Sequence, residues 1–233
     1  PPKVKDASWC KTPIDHFLKF NMEAKGITPN PVAEKTKLVR RAYLDLLGIP
    51  PTPDEVEAFL KDKADDAYAR LLDRLLQNPH YGERWGRHWL DVAGYADTNG
   101  YADADSVRPH AWRYRDYVIR SLNADKPWDR FIQEQLAGDE LHGVSAADVA
   151  AAVLDPSKID ALTATAFLRM GPDGTGDTVA DLELAKNQSI ADTLRIVTTS
   201  LTGLTVACAQ CHDHRYDPVS QVDYFRLRAV FDP

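Results

Sequence analysis

The chain has 233 residues, 44% of them hydrophobic and 27% charged, which is long enough to bury a core and ordinary for a soluble globular protein. Its formal charge of -7 argues against a nucleic-acid surface, which is normally basic, and no apolar run approaches the length of a membrane span. The expected partners are small molecules, neutral or polar polymers, or other proteins, with no nucleic acid and no transmembrane segment in the chain.

Helix punctuation recurs from end to end. Thr12-Pro13 opens a segment with Ile14, Phe17, Leu18 and Met22 at helical spacing, and Gly26 closes it. Asn30-Pro31 opens the next, carrying Leu38, Val39, Ala42, Tyr43 and Leu46 and ending at Gly48. In PPTPDEVEAFL, Thr52 is an N-cap, Pro53 the first helical residue and Glu55 the return partner of a capping box. Tyr68, Leu71, Leu72, Leu75 and Leu76 form another amphipathic stretch, stopped by Asn78-Pro79. Beyond Pro79, the residues Trp85, His88, Trp89, Val92 and Tyr95 are placed on one helical face. A loop from Asp97 to Arg108 follows, then helices over 109–123, 127–137, 158–169, 188–203 and 221–231, with Gly171 to Asp181 as the clearest flexible loop. The β-branched stretch IVTTSLTGLTVACA is read as helical. The fold class expected is mostly α, a multi-helix single domain.

The chemistry concentrates in ACAQCHDHRYDP, Ala207 to Pro218. Cys208 and Cys211 stand one helical turn apart and His212 follows directly, the C-x-x-C-H spacing of a covalent haem c site. Two such thiols add to the two vinyl groups of one haem, and the next residue offers an imidazole to the iron. A zinc site completed by Asp213, His214 or Asp217 is an alternative, as is a thioredoxin-like redox pair, although no βαβ pattern accompanies it. Haem attachment of this kind occurs outside the cytoplasmic membrane, so the motif points to a periplasmic or exported location. Cys10 is left over as a buried or free thiol.

The C-terminal position of the motif sets this chain apart from the small class I cytochrome c arrangement, where the motif is near the N-terminus and a downstream methionine is the sixth ligand. Residues 213–233 contain no methionine. Met22 and Met170 are the only thioethers upstream, and Met170 also reads as core filler. His88, between Trp85 and Trp89 on an apolar face, is the first choice for a distal metal ligand, weighed against a core histidine bonded to Asp91. Within RPHAWRYRDYVIR, Arg113 and Arg115 are candidate donors to haem propionates or to an anionic substrate. Asp213, His214 and Asp217 read either as loop-fixing hydrogen-bond partners or as acid-base groups beside the proximal face.

The stretches DLLGIPPTPDEVEAFL, YGERWGRHWLDVAGYADTNGY, RPHAWRYRDYVIRSLNADKPWDRFIQEQLAGD and CAQCHDHRYDPVSQVDYFRL occur in that order, and together they resemble the planctomycete-type cytochrome domain PSCyt2, the DUF1549 family. The resemblance covers nearly the whole chain, and domain assignment follows it: residues 1–233 as one such domain, a module excised or processed from a larger exported protein. It implies one covalent haem c on Cys208 and Cys211 with His212 as proximal ligand, and partners among further cytochrome or DUF1553-like domains of the same protein. It also suggests redox chemistry in polysaccharide utilisation, with a glycan as a candidate substrate. The function expected is a monohaem electron-transfer module. The alternatives are a haem-dependent oxidoreductase acting on a carbohydrate, and a glycan- or partner-binding module with a structural haem.

Overall fold

The structure is a computed structural model, and it describes residues 1–101, 105–152, 154–176 and 181–231. Eleven helices are assigned among these residues, with two 3-10 turns and no strand; the nearest thing to β structure is an isolated bridge between Thr98 and Val107. The expectation of a mostly α single domain therefore holds. The expected loops 97–108 and 171–181 lie partly outside the described residues.

Helix α1 (Pro13–Ala24) begins as its sequence directs: the Asp15 carboxylate accepts hydrogen bonds from the backbone N–H groups of Thr12 at 2.7 Å and Lys11 at 2.8 Å, satisfying donors that a helix start leaves orphaned. Its apolar side chains do not find a core. Ile14, Phe17, Leu18 and Phe20 are exposed, and the one buried residue is Lys19.

Helices α2 (Lys35–Leu46), α3 (Pro53–Lys61) and α4 (Ala67–Leu76) enclose a first core of Val39, Tyr43, Phe59, Leu71 and Leu75. Gly48, at φ +72°, reverses the chain after α2, a conformation in which a Cβ would be strained. The capping box at Thr52 and Glu55 forms as expected, with Thr52 N–H donating to the Glu55 carboxylate at 2.8 Å.

Helices α5 (His80–Ala93) and α6 (Ala111–Asn123) pack most intimately, and the reason is compositional. A Cβ on Gly82 would lie 2.5 Å from the Ile119 carbonyl oxygen, so only glycine lets the two backbones approach so closely. This contact rotates α5 away from the expected face. Its buried residues are Gly82, Gly86, Trp89 and Ala93, whereas Trp85, His88 and Val92 are exposed. The aromatic residues alone suggested one stripe; the small residues set another.

Helix α7 (Trp128–Leu141) is kinked at Ala137, where the backbone leaves helical geometry (φ -151°, ψ 35°), so the expected end at residue 137 marks the kink rather than the terminus. A short α8 (Ala146–Ala150), capped by Ser145, and α9 (Pro156–Ala164), capped by Asp155, lead into the 3-10 turn Thr165–Arg169. Helix α10 (Leu182–Thr202) starts six residues earlier than the periodicity indicates because Asp181 accepts from the N–H groups of Glu183 and Leu184 at 3.1 and 3.2 Å. Trp89, Tyr114, Tyr117, Phe131, Phe167 and Ile196 from these elements form the second core.

That core contains polar groups with well-defined partners. Trp89 Nε1–H donates to the Tyr114 hydroxyl at 2.9 Å, which donates onward to Gln135 Oε1 at 2.6 Å. Beside it, Tyr117 donates to Glu134 at 2.7 Å, and Lys126 and Arg130 also donate to that carboxylate. Burial raises the Tyr117 hydroxyl pKa, and the Glu134 charge raises it further.

Candidate functional site around Cys208, Cys211 and His212

Gly203, at φ +69°, ends α10 in the left-handed region. The helix expected over 188–203 ends there as read, while the rest of IVTTSLTGLTVACA, read as helical, resumes only as a 3-10 turn, Val206–Gln210. A 3-10 turn has three residues per turn, so positions three apart share a face. Val206 and Ala209 point inward and are buried; Cys208 and Cys211, also three apart, are exposed. Both are free thiols. Beneath the turn lies a third small core of Leu194, Val206, Ala209 and Tyr224, the last from α11 (Gln221–Phe231).

His212 is exposed, and its Nδ1 lies 2.8 Å from the Asp213 carbonyl oxygen. A carbonyl only accepts, so Nδ1 carries the proton and, in the neutral ring, Nε2 holds the free lone pair. That is the tautomer an imidazole needs to ligate a metal through Nε2.

His214 has the opposite character. Its side chain is 6% exposed. Nδ1 accepts from the Asp217 N–H at 2.8 Å and from the Tyr216 N–H at 3.3 Å, while Nε2 pairs with the Thr205 hydroxyl at 2.9 Å. Both ring nitrogens are thus committed to holding the loop against the start of the motif. Asp213 likewise accepts from the Gln221 N–H at 2.8 Å, and Gln221 Nε2 donates to the Gln210 carbonyl at 3.0 Å, tying α11 to both sides of the turn. Ser220 and Asp223 cap α11 reciprocally. Asp213 and His214 therefore act as loop-fixing partners, the structural one of the two roles their sequence suggested.

The residues present fit covalent haem attachment: two exposed free thiols three residues apart, followed by an imidazole whose Nδ1 faces a carbonyl oxygen and whose Nε2 is turned to no such partner among the described residues. The zinc alternative lacks a ready ligand set, since among the described residues no group of three or more His, Cys, Asp or Glu converges to hold a metal ion.

The other candidates are dispersed. The premise for His88 as distal ligand is corrected, because His88 lies on the exposed face of α5, its ring 5.5 Å from that of Trp85, and not in a dry pocket. Met170 is 6% exposed within the second core, as its core-filling reading had it. Arg113 and Arg115 are not brought together. Arg115 pairs with Asp116 at 2.9 Å. That hydrogen bond holds its pKa up, and the neighbouring Tyr95 and Asp97 add to the effect. Tyr95 itself is pushed up to about 12 by burial and by its hydrogen bond to Asp97. Arg113 instead lies over Trp112 and lines a cavity with Arg108 and His110. Cys10 is a free thiol, half-buried, with its pKa raised by burial.

Sequence reasoning missed Tyr224. It is fully buried under the motif, and its hydroxyl has no hydrogen-bond partner among the described residues. Burial raises its pKa; Arg228 opposes the rise, while Cys211 and Asp192 add to it. Its position four residues after the Ser220 cap was the available signal.

A family model described as PSCyt2, Protein of unknown function (DUF1549), matches residues 13–233. No curated protein and no solved structure matches the chain.

Proposed function

Starting from the PSCyt2 (DUF1549) family, to which this chain belongs, we propose that it is a c-type monohaem redox module that passes electrons to or from partner domains. The observation that carries the reading is the pairing of two outward free thiols with an imidazole whose Nδ1–H is held by the Asp213 carbonyl. Cys208 and Cys211 would hold the haem by adding their S–H groups across its two vinyl groups, an addition that needs no oxidant, and His212 Nε2 would ligate its iron. When bound, haem supplies one-electron exchange at its iron. The chain's own contribution is to anchor and orient: His214 pins the loop to Thr205, and Gln221 ties it to α11. The setting proposed is periplasmic or exported, with further cytochrome or DUF1553-like domains as partners and polysaccharide utilisation as the context. No helix among the described residues is long and apolar enough to cross a membrane.

The exposed position of His88 favours a second reading, an iron left open on its distal side and a haem-dependent oxidoreductase acting on a carbohydrate. One experiment addresses both. Co-expression with a c-type haem maturation system is expected to give protein whose mass rises by one haem and whose haem survives denaturation. Cys208→Ser with Cys211→Ser is expected to abolish that linkage, and His212→Ala to change the spin state. Intact thiols that take up no haem would overturn the proposal. Paramagnetic resonance then separates the readings: a low-spin iron turned high-spin by His88→Ala supports electron transfer with His88 as distal ligand, and a high-spin iron indifferent to that substitution supports the oxidoreductase.

A further inference from the structure

A cavity of about 530 Å³ lies between the start of α6 and the backbone that follows the 3-10 turn at Thr165–Arg169. That volume is in the range of small-molecule sites. Its lining is electrically lopsided: Arg108, Arg113 and Arg169 face it, with Asp173 as the one carboxylate among the described residues.

Each arginine has a definite state. Arg169 is paired with Asp173, and it also donates to the Thr175 hydroxyl at 3.0 Å. Arg108 is half-buried and donates to two carbonyl oxygens, those of Met170 at 3.1 Å and Gly171 at 2.6 Å. Carbonyls fix its orientation but leave its positive charge unneutralised. Burial pulls the Arg108 pKa down, Asp173 partly restores it, and Arg169 lowers it further. Arg113 is exposed, with its guanidinium 5.3 Å from the Trp112 ring centre and no carboxylate partner among the described residues. The remaining wall includes the apolar side chains of Val107, Ala166 and Met170.

We propose that this cavity binds an organic oxyanion, a carboxylate or phosphate group carried on an apolar body, with Arg113 as its principal charged ligand and Arg108 as a fixed positive charge behind it. A guanidinium offers a planar fork that matches two oxygens of such a group. The apolar wall takes the body. None of the motif residues Cys208, Cys211 and His212 lines the cavity, so the inference stands independently of the haem reading.

Calorimetric titration of the whole chain with benzoate, phenyl phosphate and uncharged benzyl alcohol tests it. Saturable binding of one or both anions is expected, weakened about tenfold or more by Arg113→Met, as follows from losing a charge-assisted pair. Arg115→Met, which removes a neighbouring arginine outside the cavity, is expected to bind like the parent protein. Preference between the two anions identifies the head group. The proposal is overturned if neither anion saturates, if Arg113→Met binds as the parent does, or if benzyl alcohol binds as tightly as the anions.

Discussion

At the scale of single residues, the most exacting position is Glu134. Its carboxylate is nearly buried, and it accepts from Tyr117, Lys126 and Arg130 together. Burial alone would raise its pKa, but the hydrogen bonds from Lys126 and Tyr117, the Lys126 charge and the Arg130 bond outweigh that and hold it below the ordinary range. A carboxyl depressed in the folded state contributes stability that is present above its unfolded pKa and is lost as pH falls through the folded one. Glu134→Gln is expected to cost about 2–3 kcal/mol near neutral pH, because Lys126 is left half-buried and unpaired. The difference in urea midpoint between the two proteins should be steady above about pH 5 and shrink below about pH 4. A difference that did not change with pH would place the cost in packing instead.

Elements were the most legible scale, and also where the reading went astray. The caps at Thr12 and Thr52, the stops at Gly26 and Gly48 and the N-terminal prolines encode their helix ends locally, through backbone geometry and side-chain acceptors within three residues. What a helix packs against is not local. The face of α5 was misread because Trp85 and His88 are conspicuous, whereas Gly82 and Gly86 decide the contact with α6. Arg113 and Arg115 looked like one basic cluster, yet residues two apart on a helix point in nearly opposite directions. In the candidate site, the C-x-x-C-H spacing was visible in the sequence. The inward turn of Val206 and Ala209, and the loss of His214 to loop bonding, depend on Leu194 and Thr205, which only the fold brings near.

The same close-packing logic gives an element-scale prediction. A Cβ on Gly138 in α7 would lie 2.5 Å from the Ala161 carbonyl oxygen of α9, a backbone atom that cannot swing aside. Gly138→Ala is expected to destabilise by about 2 kcal/mol through forced separation of α7 and α9. Chemical denaturation would show this, against Gly143→Ala as a comparison whose added Cβ meets nothing within 4 Å, although its φ of +60° carries its own strain.

At the scale of the whole molecule, the three cores differ in size and connection. The motif turn and α11 pack on each other and on α10, largely through four buried residues, whereas the second core draws on five helices. Local opening follows the density of such buried contacts. Backbone amides of residues 206–231 are therefore expected to exchange hydrogen faster than those in the centres of α5 and α6, with the gap measured by mass spectrometry on the haem-free chain. Equal protection in the two regions would show that the C-terminal unit opens only with the whole domain.

The outward placement of Cys208 and Cys211 bears on biosynthesis. Both cysteines are already exposed in the folded chain, so on the haem reading a synthase would reach them without catching the polypeptide before it folds. On that same reading a completed chain would be a competent precursor, and its supply could run ahead of the supply of haem.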